Sequence, residues 1–155
     1  MSIIPYGRQY IDKNDKKLVL QSLSENLITT GSYVDRFEKE IKNYCKSKYS
    51  YVCSSGTAAI HLAMLSINLK QGDTILMPAI NFISSYNLAN ILKLKIFLVD
   101  VDKNTGQMTP DNVIDCIKKN NIKNVKALIL MYHGGYPEFP KKFHDLKKKF
   151  KFHII

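Results

Sequence analysis

Short apolar runs alternate with stretches of helical period along most of this chain, and this alternation constrains the fold more than any other feature. Five runs rich in β-branched and aromatic residues have the length of strands. They are 49–53 (YSYVC), 74–78 (TILMP), 95–101 (KIFLVDV), 125–131 (VKALILM) and 152–155 (FHII). Because such runs are apolar on both faces, we expect an α/β fold with a mostly parallel sheet covered by helices on each side.

Six stretches have the apolar spacing of helices. They lie at about 12–24, around Val34, Phe37, Ile41 and Tyr44, around Ala58, Leu62 and Leu65, at 84–93, around Val113, Ile114 and Ile117, and at 140–150. The sequence therefore divides into an N-terminal helical segment, 1–46, and an alternating β/α segment, 47–155. Since the final run, FHII, stops without a covering helix, we expect the chain to be the N-terminal part of a larger domain, with an incomplete sheet.

The charge of the chain is strongly positive, +10 from 23 Lys and Arg against 13 Asp and Glu. Such a charge could favour an acidic partner such as nucleic acid or a nucleotide sugar. The densest cluster, KKFHDLKKKFK at 141–151, has Phe143, Leu146 and Phe150 at helical spacing, which predicts a solvated helix face. No motif that interleaves aromatic and basic residues is present, so we expect no nucleic-acid binding.

Cysteine and histidine spacing predicts neither disulfides nor a metal site. Cys45, Cys53 and Cys116 are odd in number, and the four His residues are scattered. The N-terminal residues lack the pattern of a signal peptide, and no apolar run is long enough to span a bilayer. We therefore expect a cytoplasmic protein without a membrane partner.

A turn between a strand-like run and a helix-like stretch is rich in small polar residues. It reads YVCSSGTAAIHLAM, residues 51–64, with Ser54, Ser55, Gly56 and Thr57 at the junction. In an open α/β sheet, ligands bind beyond the carboxyl ends of the strands, where a helix N-terminus offers unpaired N–H groups. Small residues allow close backbone approach, so the turn favours a phosphate monoester. The alternative is an ordinary helix N-cap.

A second candidate lies in PAINFISSYN, residues 78–87, where Phe82 falls between a strand and a helix. On this architecture Phe82 would lie at the same sheet edge as the Ser-Ser-Gly-Thr turn and could stack on a flat cofactor. The alternative is that Phe82 closes the top of the core.

Four segments, taken in order, resemble the DegT/StrS family of pyridoxal-phosphate-dependent sugar aminotransferases. They are ITTGSYVDRFEKEI (28–41), SSGTAAIHLAM (54–64), QGDTILMPAINFISSYN (71–87) and FLVDVDKNTGQM (97–108). The resemblance implies the aspartate-aminotransferase-like fold, type I, with the chain as part of the large domain. It also implies pyridoxal 5'-phosphate (PLP) as cofactor, a nucleotide-linked keto sugar and an amino-acid amino donor as substrates, and a homodimer.

The resemblance also assigns site residues. Ser55, Gly56 and Thr57 match the turn that holds the cofactor phosphate, and Phe82 matches the aromatic residue that stacks on the pyridine ring. The positions near which the nucleotide sugar binds are Tyr6, Asn26, Leu27, Ile28 and Thr29. The segments IPYGRQYID and DKNTGQM further resemble the branch that aminates a UDP-linked 4-keto sugar on the route to pseudaminic acid.

Other segments receive structural roles or none. Asp100 and Asp102 are expected to stabilise the end of a strand, because two carboxylates without a third ligand rarely hold a cation. YHGGYP, 132–137, has Tyr132 where the family usually has His, so we expect only a backbone role in shaping the floor of the site.

The resemblance assigns no catalytic residue to the chain. The family's acidic EDA segment and the Lys that bonds to the cofactor follow a strand like FHII and are not in this sequence. A branch with His in place of that Lys dehydrates sugars instead. Two alternatives therefore stay open: a PLP-dependent sugar dehydratase, and a shortened, non-catalytic paralogue that binds a partner subunit or a phosphorylated ligand.

Overall fold

The computed structural model describes residues 7–155, so the predicted sugar-site residue Tyr6 lies outside the described residues. The chain divides into two compact units, Met1–Val52 and Cys53–Ile155. This boundary lies six residues beyond the end of the predicted helical segment. Within residues 7–155, no helix is both long and apolar enough to cross a membrane.

The described part of the first unit, residues 7–52, contains two helices, both of which the apolar spacing predicted. Helix α1 is Lys13–Leu23 and begins with a capping box, in which the Asp12 side chain accepts from the N–H groups of Asn14 and Asp15. Helix α2 is Ser32–Cys45 and ends at Lys46 in the left-handed conformation. No residue of either helix is buried. Neither helix therefore contributes a fully buried residue to a core, and only α1 has a side-chain N-cap.

The prediction of a strand at 49–53 is wrong. This segment is irregular, and Tyr51 is 78% exposed. Its Val52 N–H donates to Glu38 Oε1 at 2.8 Å, a side-chain partner rather than a neighbouring strand. Because a strand is stabilised by ladder hydrogen bonds, a β-type sequence without an adjacent strand does not form one.

The second unit contains a parallel sheet of four strands, which confirms the predicted class. The strands are β1, Thr74–Pro78; β2, Lys95–Val99; β3, Ala127–Leu128; and β4, His153–Ile154. Their order is β2-β1-β3-β4, and each neighbouring pair is parallel. Strand β1 has the predicted bounds, whereas the other three are shorter than their apolar runs.

Four helices cover the sheet: α3, Gly56–Ser66; α4, Ser84–Ile91; α5, Pro110–Lys119; and α6, Pro140–Phe150. On one face, Leu76 and Leu128 pack with Val113 of α5 and Phe143 of α6. On the other face, the core includes Ile75 and Met77 of β1, Met64 of α3, and Leu88 and Ala89 of α4. The central strands β1 and β3 are thus buried, as their runs of consecutive apolar residues predicted, whereas the edge strands β2 and β4 are partly exposed.

Candidate functional site

The Ser-Ser-Gly-Thr turn forms the N-terminus of α3. Ser55 is the N-cap, and its Oγ accepts from the N–H of Ala58 at 3.1 Å. The Ser55 carbonyl accepts from the N–H of Ala59 at 3.0 Å. Within residues 7–155, no hydrogen-bond partner is found for the N–H groups of Gly56 and Thr57. The turn therefore presents two free donors at the positive end of an eleven-residue helix.

Gly56 is not required by the folding of the chain itself. A Cβ placed at this position would meet no atom of residues 7–155 within 4 Å, and the φ of Gly56 lies outside the left-handed region. Gly56 is also exposed, as are Ser54, Ser55 and Thr57. The space over the turn is therefore open, and a ligand could approach the backbone directly.

Helix α3 packs against the sheet, with Met64 in the same core cluster as Ile75 and Met77 of β1. The connection 67–73 leads from the end of α3 to the start of β1, so the helix runs back along the strand in the opposite direction. Eleven helical residues span about 16 Å, and a five-residue strand spans nearly the same length. We therefore expect the N-terminus of α3 to lie near the carboxyl end of β1.

The loop after β1 carries Phe82, whose ring is 72% exposed. The alternative that Phe82 closes the top of the core is therefore wrong, while the proposed stacking on a cofactor stays a prediction. The loop lines a cavity of about 270 Å³ together with Tyr86 and Leu98. In the same loop, the buried Nδ2 of Asn81 has no hydrogen-bond partner within the described part of the chain.

The loop after β2 supports the structural interpretation of the two aspartates. Asp102 Oδ1 accepts from the N–H groups of Asn104 and Thr105, both at 2.9 Å. The donation from Thr105 contributes most, and together these bonds hold the pKa of Asp102 below its ordinary value. Asp100 Oδ1 accepts from the N–H of Val101 at 2.9 Å. Within residues 7–155, no group of three His, Cys, Asp or Glu side chains could hold a metal ion.

The segment after β3 contains a feature that the sequence did not indicate. His133–Gly135 forms a 3-10 turn, and Gly134 and Gly135 have φ values of 69° and 79°. The buried side chain of Gln107 makes hydrogen bonds to this turn from the loop after β2. The carbonyls and N–H groups of the turn thus carry the contact, and the expected role of the turn in shaping the floor of the site stays a prediction. Burial raises the pKa of the Tyr132 phenol, which stays protonated at neutral pH.

Residues 26–29 of the predicted sugar site belong to the first unit. Leu27 and Ile28 line a cavity of about 180 Å³ together with Leu23 and Tyr33. Asn26 and Thr29 lie in the same exposed connection between α1 and α2 but do not line this cavity. A Cβ at Gly31 would meet the Leu27 carbonyl oxygen at 2.7 Å, which explains the glycine in this motif. The cavity is too small for a whole nucleotide sugar, so the sugar site stays a prediction.

Comparisons with known proteins agree with this architecture. Residues 9–153 match the DegT/DnrJ/EryC1/StrS aminotransferase family. The chain is 26% identical over 156 aligned residues to GDP-perosamine synthase of Escherichia coli O157:H7, a match that covers 100% of this chain and 42% of that protein. The chain belongs to the DegT/DnrJ/EryC1/StrS aminotransferase family.

Solved structures show the same fold. An aminotransferase from Psychrobacter cryohalolentis superimposes with a TM-score of 0.85 at 22% identity, over 97% of this chain and 38% of that one. NtdA from Bacillus subtilis, solved with bound cofactor PMP, gives a TM-score of 0.81 at 25% identity, over 93% of this chain and 33% of that one. The chain therefore has the fold of part of the large domain of PLP-dependent transferases of fold type I. It spans less than half the length of these relatives, whose family uses PLP as cofactor.

Proposed function

We propose that this chain provides the phosphate-binding part of the large domain of a PLP-dependent aminotransferase that acts on a nucleotide-linked keto sugar. The observation that carries the proposal is the turn at the start of α3. Two free N–H groups, an open backbone at Gly56 and the exposed Phe82 in the loop after β1 suit a planar cofactor that bears a phosphate.

In this proposal the turn residues bind and orient the cofactor. The N–H groups of Gly56 and Thr57 donate to phosphate oxygens, and the Thr57 hydroxyl supplies a further donor. Ser55 contributes through its place as N-cap, since its Oγ already accepts from Ala58. Phe82 stacks on the pyridine ring and excludes water from one of its faces. When bound, the cofactor supplies an electron sink for amino-group transfer.

The substrate part of the proposal rests on family membership and on the sequence resemblance. A relative that covers the whole of this chain is a GDP-perosamine synthase, which supports a nucleotide-linked sugar as substrate. We propose an amino acid such as glutamate as the amino donor, and a nucleotide-linked 4-keto sugar of the pseudaminic-acid type as the acceptor. Tyr6 and residues 26–29 are the proposed sugar contacts. We also propose that the protein is a homodimer in the cytoplasm.

Binding of PLP to the 155-residue chain tests the proposal. Equilibrium dialysis with PLP, with pyridoxal and with inorganic phosphate as competitor separates phosphate recognition from ring contact. We expect one saturable PLP site that phosphate displaces, and at least about tenfold weaker binding of pyridoxal, because pyridoxal has no phosphate to accept the charge-assisted hydrogen bonds. Absence of a saturable site, or equal binding of PLP and pyridoxal, would contradict the proposal. If the chain binds PLP but the protein that contains it does not transfer amino groups, the result would support the dehydratase or the non-catalytic paralogue.

A further inference from the structure

Gln107 has a buried amide side chain. All the hydrogen bonds of this side chain go to a segment that is distant in the sequence. Gln107 is 5% exposed. Its Nε2 donates to the carbonyls of His133 at 3.1 Å and of Tyr136 at 3.0 Å, and its Oε1 accepts from the His133 N–H at 3.1 Å. Buried amides are costly when unpaired, so three well-formed bonds indicate a defined geometry on both sides.

The turn that Gln107 holds has little internal support. One backbone bond closes it, from the N–H of Gly135 to the carbonyl of Tyr132 at 2.9 Å. Gly134 and Gly135 both take positive φ values, a conformation in which glycine is favoured but loses much backbone entropy. The Gln107 side chain therefore supplies most of the polar contacts that fix this turn.

The backbone of Gln107 is itself fixed by hydrogen bonds within the loop after β2. Its carbonyl accepts from the Asp102 N–H at 2.8 Å, and its N–H donates to Thr105 Oγ1 at 3.2 Å. The Gly106 N–H donates to the Asp102 carbonyl at 2.8 Å. Together with the Asp102 side-chain bonds, these contacts make residues 102–107 a braced loop after β2.

The held turn stands at the edge of the sheet where the proposed cofactor site lies. It follows β3, which pairs in parallel with β1, so the carboxyl ends of these two strands are neighbours. The loop after β1 carries Phe82. The turn that Gln107 holds and the Phe82 loop therefore leave the sheet at the same edge, from neighbouring strands.

We propose that Gln107 is a positioning residue for the cofactor site: it fixes the 132–136 turn, and the turn sets the floor on which the cofactor lies beside Phe82. This inference rests on the proposed function. The proposal assigns Gln107 no contact with the cofactor, because its three side-chain bonds are satisfied by the turn.

Replacement of Gln107 by Met, which has a similar length and no amide, tests the proposal. The matched control is Asn112→Leu, which removes a partly buried amide that caps α5 through Thr109 and does not contact the turn. We expect Gln107→Met to raise the hydrogen-exchange rate of the His133 amide by at least about tenfold and to weaken PLP binding by about fivefold or more. Asn112→Leu should lower stability but leave both quantities within about twofold of the parent chain.

A second variant covers the case in which Gln107→Met does not fold. Gln107→Glu replaces both donations by repulsion between the carboxylate and the carbonyls of His133 and Tyr136, so PLP affinity should fall. Unchanged PLP affinity in every folded Gln107 variant would overturn the positioning role and leave the proposed function intact. Failure of the parent chain to bind PLP would instead overturn the proposed function, and the positioning role with it.

Discussion

Phe82 shows at the scale of one residue how exposure separates two roles. A ring that is 72% exposed contributes little to the stability of the protein without cofactor. We therefore expect Phe82→Ala to change the free energy of unfolding by less than about 0.5 kcal/mol. PLP affinity should fall by about two- to tenfold, the value of a stacking contact of about 0.5–1.5 kcal/mol. Thermal unfolding and PLP titration measure the two effects, and a large loss of stability with unchanged affinity would contradict the stacking role.

Asn81 and Gln107 both carry amide side chains but differ in their hydrogen bonding, which gives a second prediction at the scale of single residues. The buried Nδ2 of Asn81 has no partner among residues 7–155, whereas the Gln107 amide makes three hydrogen bonds. Removal of an unsatisfied donor relieves a desolvation cost of about 1–3 kcal/mol, which offsets the loss of the packing that the Asn81 side chain provides. Asn81→Ala should therefore change the unfolding free energy by less than about 1 kcal/mol, and Gln107→Ala should lower it by about 2 kcal/mol or more. Denaturant unfolding of the two variants checks this, and equal losses of stability would contradict it.

At the scale of elements, the Asp102 loop predicts a pH dependence. The donations from Thr105 and Asn104 hold the pKa of Asp102 below its ordinary value near 4. The ionised carboxylate therefore contributes stability that is present above about pH 4 and is lost as the pH falls through the lower folded-state pKa. An amide does not titrate in this range. The difference in melting temperature between the parent chain and Asp102→Asn should thus be constant from pH 5 to 7 and change below pH 4. A constant difference down to pH 2 would show that these bonds do not stabilise the charged form.

The elements also show how far sequence patterns reach. The bounds of α6 and β1 were predicted to the residue, because Pro140 starts a helix with buried Phe143 and Leu146, and β1 is buried between two neighbours. The 49–53 run has the same apolar character but no adjacent strand in the described structure, and so it is irregular. Gln107 could not have been predicted, because its partners lie 26 and 29 residues away in the chain. The spacing of apolar residues indicates burial and local geometry, whereas polar contacts between distant segments depend on the assembled fold.

At the scale of the whole molecule, the first unit leaves large apolar side chains in solvent. Leu23 is 63% exposed, Phe37 56% and Tyr44 87%. Exposed apolar surface of this kind favours association. We expect the sedimentation coefficient of the 155-residue chain to rise with concentration, and Phe37→Glu to reduce this rise. A monomer that is independent of concentration, with cooperative thermal unfolding, would contradict the prediction.

The measurement that tests the account most directly is the PLP affinity of Gly56→Val compared with that of the parent chain. Among residues 7–155, nothing lies within 4 Å of a Cβ at this position, so the melting temperature without PLP should stay within a few degrees. The added methyl groups should block the approach of the phosphate to the N–H groups of Gly56 and Thr57. Each charge-assisted hydrogen bond that is removed is worth roughly 1.5–3 kcal/mol, so PLP affinity should fall about tenfold or more, while pyridoxal affinity is unchanged. Equal PLP affinity in the two proteins would contradict the assignment of this turn to the cofactor phosphate.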